Sequence, residues 1–106
     1  MNIEYEIKNR LTGEIISHGQ AISLKMLVEA AVKSKTDLAG SDLSGADLYG
    51  ADLSGAKLSG ANFSRADLSW AKLIDADLSG ADISRADISR AYRSRADLSA
   101  ARLDGK

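Results

Sequence analysis

From residue 36 to residue 105 an apolar residue returns at every fifth position, with a small residue two places before it. The apolar centres are Leu38, Leu43, Leu48, Leu53, Leu58, Phe63, Leu68, Leu73, Leu78, Ile83, Ile88, Leu98 and Leu103, and Arg93 is the one polar exception. Thr36 and Ser41 open the small series, which continues as alanine from Ala46 to Ala101. Side chains repeat about every 3.6 residues on a helix and about every 2 on a strand, so neither element keeps a five-residue stripe on one side. A fixed period of this kind requires a repeat architecture in which each unit makes a short side and a corner. Two residues of each five then point inward. The large centre fills the interior, alanine sits where only a small side chain fits, and Asp, Ser and Gly or Arg face outward.

Units such as Ala46-Asp47-Leu48-Tyr49-Gly50 and Ala51-Asp52-Leu53-Ser54-Gly55 closely resemble the pentapeptide-repeat protein family, and the resemblance runs through residues 36–105. It implies an all-β solenoid, the right-handed quadrilateral β-helix, with four pentapeptides to a turn and positions twenty apart stacked. Leu38, Leu58, Leu78 and Leu98 then form one interior column; Leu43, Phe63, Ile83 and Leu103 a second; Leu48, Leu68 and Ile88 a third; Leu53, Leu73 and Arg93 the fourth. The array amounts to about three and a half coils, roughly 17 Å long at the ~4.8 Å spacing of paired strands.

Residues 1–35 read as a cap on residues 36–106. Ile3, Tyr5 and Ile7 alternate with Glu4, Glu6 and Lys8, the period of a half-buried strand. Asn9-Arg10-Leu11-Thr12-Gly13 supplies turn chemistry, and residues 14–18 return as a second strand of a β-hairpin. From Ser23, an N-cap residue, Leu24, Leu27, Val28 and Ala31 fall on one helical face, with Lys33 and Lys35 at the dipole's negative end. A helix of about ten residues is marginal alone in water, so its apolar face must dock, and the open end of the array is the available surface.

Fourteen basic and fifteen acidic residues nearly cancel, which removes the electrostatic case for direct nucleic-acid or anionic-membrane binding. There is no cysteine for a disulfide or thiolate metal site, and the charged, alternating start argues against a signal peptide or membrane anchor. These features point to a cytoplasmic protein without cofactor or metal. His18, the single histidine, lies in the hairpin without a second histidine or a cysteine, so a strand-end residue is the better reading than a ligand or catalytic base.

At the far end no comparable cap is visible, and an uncovered coil exposes unpaired backbone groups and the tips of the leucine columns. End-to-end homodimerisation through the C-terminal coil is therefore expected. Arg93 stands over Leu53 and Leu73 with nothing above it, so its stem can pack while its charge leaves through the open end. It reads either as a tolerated end substitution or as a contact with a partner subunit.

Asp47, Asp67 and Asp87 stack into a carboxylate ladder. No concave pocket or nucleophile–base pair accompanies them, so a solvated face is preferred to paired catalytic acids. Tyr49, Trp70, Ile74 and Tyr92 are apolar residues in outward positions, and Trp70 should have Gly50 below and Arg90 above. The Trp70–Arg90 contact is either a structural cation–π pair or, with Ile74, part of a partner-binding surface of hot-spot composition.

The resemblance brings in gyrase-protecting DNA mimics, for which Asp47, Asp67 and Asp87 would be the phosphate-mimicking face. Duplex DNA carries about one charge per 1.7 Å, roughly ten over this rod. The array carries eleven acidic and nine basic residues, and its arginines crowd the far end. The N-terminal hairpin and helix resemble those of phage and prophage members. The leading expectation is a non-enzymatic protein-interaction module binding through Tyr49, Trp70, Ile74, Arg90, Tyr92 and Arg93; the alternative is a DNA-mimicking inhibitor of gyrase or a CRISPR defence complex.

Overall fold

The computed structural model describes residues 2–103, so Asp104 and Gly105, which complete the repeat pattern, lie outside the described residues. Each pentapeptide closes a turn in which the alanine N–H donates to the preceding centre's carbonyl, as in Ala51 to Leu48 at 3.0 Å and Ala71 to Leu68 at 3.0 Å. The corner residue of each turn takes positive φ, near 66° at Gly50 and 62° at Trp70. Glycine meets that demand without steric cost. Where a side chain stands there instead it projects outward, and a Cβ built on Gly50 or Gly55 meets nothing within 4 Å.

Where an aspartate precedes the centre, it fastens the turn from outside. Its Oδ1 accepts the N–H two residues on, and often the serine hydroxyl too: Asp87 takes Ser89 N–H at 2.9 Å and Ser89 Oγ–H at 2.6 Å. These are Asx turns, in which a short side chain substitutes for a backbone acceptor.

Successive turns of the solenoid pair in parallel at a spacing of twenty residues, in four ladders: Asp37–Lys57–Asp77–Asp97, Asp42–Asn62–Asp82–Arg102, Asp47–Asp67–Asp87 and Asp52–Lys72–Tyr92. Each turn donates in both directions, as Leu48 N–H to Asp67 carbonyl and Asp67 N–H to Ala46 carbonyl, both 2.9 Å. Every centre from Leu38 to Leu78 is at most 2% exposed. Ser41 replaces alanine without an orphaned hydroxyl, since its Oγ donates to the Leu38 carbonyl at 2.6 Å.

The N-terminal hairpin comprises β1 (Ile3–Asn9) and β2 (Ile15–Ala21), so the second strand extends past His18 to Ala21. Helix α1 (Leu24–Lys33) starts at Ser23, whose hydroxyl accepts Met26 N–H. It lies so close to the hairpin that a Cβ on Gly19 would stand 3.3 Å from Leu27 Cδ1. Ile7, Leu27, Val28 and Ala31 join the leucine columns in one core, whereas Ile3, expected on the buried face, is 54% exposed. Ile3 pairs with Ala21 at the outer end of the hairpin, beyond the helix-covered stretch.

The cap also extends the hydrogen bonding of the first coil. Strand β3 (Ser41–Asp42) pairs antiparallel with β1, giving sheet order β2-β1-β3. Arg10 N–H donates to the Gly40 carbonyl at 2.8 Å, Lys25 Nζ to the Tyr49 carbonyl at 3.1 Å, and Glu29 Oε2 accepts Asp52 N–H at 2.9 Å. At the other end burial declines: Ile83 is 3% exposed, Ile88 and Leu98 are half-buried, and Leu103 is 42% exposed. Among the described residues, the N–H groups of Ile88, Arg93 and Leu98 have no backbone partner.

A candidate interaction face

The four ladders define four outer faces; Lys57 and Arg102 each interrupt the acceptor series of a face once, and one face departs in two successive coils. On the face built from residues 51–55, 71–75 and 91–95, Lys72 and Tyr92 take the place of the turn-fastening aspartate in two successive coils. Neither offers the carboxylate acceptor, so the Ile74 and Ser94 turns lack the bond that Asp52 makes with Ser54 N–H at 3.2 Å. A net hydrogen bond contributes about 0.5–1.5 kcal/mol. Two successive coils of this face therefore carry a long cation and an aromatic residue where the turn-fastening carboxylate would stand.

The structure brings most of the expected partner-binding residues to this face and its leading edge. Trp70 sits at the corner that opens it, 41% exposed, with the Arg90 guanidinium 5.3 Å from the ring centroid. Tyr92, 48% exposed, follows Arg90 by two residues and stacks on Lys72, while Ile74 is half-buried. Tyr49 stands one coil below Ser69, beside the same corner, and is 53% exposed. Arg93 belongs to the same pentapeptide as Tyr92, but lines a depression on the last described coil with Arg85, Ile88 and Arg90. Leu73, below it in the column, is 1% exposed.

Sequence reasoning missed one contact at the far corner of the face. Arg95 makes a bidentate ion pair with Asp75, Nε–Oδ1 2.7 Å and Nη2–Oδ2 2.9 Å, and that carboxylate holds the arginine's pKa above its usual value. The signal was present: the two residues are twenty apart, so opposite charges meet in one corner column. The capping roles of Lys25 and Glu29 carried no such signal, because the helix's rotation on the first coil decides them.

Asp47, Asp67 and Asp87 do form one ladder. Their Oδ1 atoms are committed to turns, taking Tyr49, Ser69 and Ser89 N–H at 3.3, 2.9 and 2.9 Å. Hydrogen bonds from the Ser89 hydroxyl and N–H hold the Asp87 carboxyl below the ordinary range. The three carboxylates are matched by Arg65, Arg85 and Arg90 at the bounding corners. His18 Nδ1 lies 2.9 Å from Glu4 Oε2 on the exposed side of the hairpin, and the described residues contain no group of three metal-ligating side chains. No described helix is long and apolar enough to cross a membrane.

A profile of pentapeptide repeats matches eight copies over residues 34–65 and 61–99. Among solved structures, a pentapeptide repeat protein from the thylakoid lumen of Arabidopsis thaliana is 43% identical with a TM-score of 0.63, covering 64% of this chain. The match takes in 47% of the Arabidopsis protein, so the chain matches about half the length of that relative. A pentapeptide repeat protein from Nostoc PCC 7120 is 31% identical, with a TM-score of 0.40, over 76% of this chain and 75% of the other. A second from the same cyanobacterium, involved in heterocyst differentiation regulation, is 33% identical, with a TM-score of 0.36, over 61% of this chain and 40% of its own. No curated protein sequence matches. With the repeat profile spanning more than half of its residues, the chain belongs to the pentapeptide repeat family.

Proposed function

We propose that this chain is a non-enzymatic protein-interaction module, built as a right-handed quadrilateral β-helix of about three and a half coils, that binds its partner through the face edged by Trp70. The observation that carries this is the local loss of turn-fastening aspartates at Lys72 and Tyr92, where exposed aromatic and cationic side chains stand instead. Aromatic residues and arginine are the types that dominate interface energetics, each contributing most where it is desolvated by the partner. Affinity capture from host extract tests it: Trp70→Ala should abolish capture of the partner while leaving the far-ultraviolet circular dichroism unchanged, and full capture by the variant would remove the face. A cytoplasmic location accompanies this proposal.

Homodimerisation is part of the same proposal. Among the described residues, Ile88 and Leu98 are half-buried and the N–H groups of Ile88, Arg93 and Leu98 have no backbone partner, groups that a second copy stacked end to end would cover. A monomeric mass in solution at micromolar concentration would exclude it.

A second reading, the DNA-mimicking inhibitor of gyrase or of a phage-targeting CRISPR complex, is favoured by the stacked column of Asp47, Asp67 and Asp87. The equal number of flanking arginines weakens it, because a phosphate track needs a sustained negative potential. Competition between the purified protein and duplex DNA for gyrase or the defence complex decides between the two.

A further inference from the structure

We propose that Arg90, held over Trp70, is a carboxylate-binding anchor, and that the face it edges takes an acidic, extended segment of the partner protein. The proposal rests on the protein-interaction reading above and specifies the chemistry of what is bound. Two corners bound this face, and each carries an arginine in the last described coil. At one, Arg95 is satisfied within the chain by the bidentate carboxylate of Asp75, one coil below. At the other, the position one coil below Arg90 is Trp70 instead of an acid, and among the described residues Arg90 makes no ion pair. The Asp75–Arg95 pair thus shows, twenty residues apart on the same scaffold, the ligand that the Arg90 corner lacks.

The cation–π contact with the indole makes that vacancy specific. A guanidinium held near a ring by a cation–π contact keeps its N–H donors for a carboxylate, and a side chain already restrained loses less entropy on binding. Charge agrees with this. At the outward positions of residues 50–55, 70–75 and 90–95 stand Lys72, Arg90 and Arg95 against Asp52 and Asp75, an excess of one positive charge, although the whole chain has a net charge of −1. The neighbouring face carries Asp47, Asp67 and Asp87 against Arg65 and Arg85, and reaches balance only when the shared corner Arg90 is counted with it. Tyr92 and Ile74 provide apolar surface beside the cations, which suits a peptide that mixes acidic and apolar side chains. A nucleic-acid strand fits less well: Arg90 already covers one face of the indole on which a base would stack, and Asp52 and Asp75 would oppose its phosphates.

Trp70 is the only tryptophan, so indole emission reports on this corner alone. Titration with a random glutamate–tyrosine copolymer should change the emission saturably, and added salt should weaken the response. Arg90→Gln should reduce apparent affinity about tenfold, equivalent to ~1.4 kcal/mol. Arg65→Gln, at a different corner, should leave the titration unaltered. Circular dichroism of both variants shows that the fold is retained. An unchanged emission with the acidic copolymer, or an unweakened titration in Arg90→Gln, overturns the proposal, and a response to oligothymidylate in place of the copolymer assigns the face to single-stranded nucleic acid. Capture from host extract separates the two levels of inference. Loss with Trp70→Ala but not with Arg90→Gln leaves the interaction face standing and removes the carboxylate anchor, whereas survival in Trp70→Ala removes the face itself.

Discussion

Asp67→Ala deletes the shared acceptor of one turn while touching no apolar contact of the interior. Asp67 Oδ1 takes Ser69 N–H at 2.9 Å and Ser69 Oγ–H at 2.6 Å, and Ser69 is only 8% exposed. Each bond contributes about 1 kcal/mol net, and a hydroxyl stranded away from water adds to the cost, so the variant should lose about 2–3 kcal/mol. With an m-value of about 2 kcal/mol/M, the urea midpoint falls by about 1 M or slightly more. Asp67→Asn retains an Oδ1 acceptor, as Asn62 does for Ser64 N–H at 2.9 Å, and should lose about half as much or less. Asp87→Ala removes the same pair of bonds at an exposed serine, where water takes over, so its loss should be smaller than that of Asp67→Ala. Urea unfolding followed by circular dichroism measures all three, with Trp70 emission as a local second probe. Equal losses in Asp67→Asn and Asp67→Ala, or in Asp67→Ala and Asp87→Ala, would show that charge, not turn bonding and burial, sets the worth of this column.

Glu29→Ala should cost about 1 kcal/mol by orphaning the Asp52 N–H, which Glu29 Oε2 accepts at 2.9 Å. Hydrogen exchange should accelerate at the Asp52 amide but not at Lys72, whose N–H is held by the Ala51 carbonyl at 2.8 Å. Stability should also depend on pH through the turns. The Ser54 N–H and hydroxyl lower the Asp52 pKa, and serine hydroxyl and N–H donors do the same for Asp82, Asp87 and Asp97. Depressed folded-state values mean that this contribution is complete above the unfolded carboxylate pKa of about 3.9 and is lost as pH falls through the lower folded values. Thermal midpoints should therefore change little on this account from neutral pH to about pH 5 and drop below about pH 4; a loss complete by pH 5 would contradict the assignment.

How far the fold could be read in advance depended on how local its causes are. The repeat interior was legible because one large and one small inward residue per five admits few architectures, and the twenty-residue register then placed Trp70 beneath Arg90. The Asp-Leu-Ser recurrence likewise carries its own explanation, since the acceptor and donors lie two residues apart. Ser23 and the helical stripe from Leu24 located α1. The exposed Ile3 was not legible, because alternation marks a strand face without saying where the covering helix stops. The candidate face was legible only as a set of irregular residues, and its identity as the one face with successive missing turn bonds required the ladders to be assigned.

The sequence by itself determined the period, the inward columns and the turn chemistry, because each is set by side-chain volume and by bonds between residues at most a few places apart. Only the tertiary structure decided what joins distant positions. It set the helix on the first coil so that Lys25 and Glu29 each bond that coil's backbone, and it paired Asp75 with Arg95 while leaving Arg90 on an indole. Such contacts depend on rigid-body placement and rotamer choice across separate turns, which a one-dimensional repeat repeats without specifying.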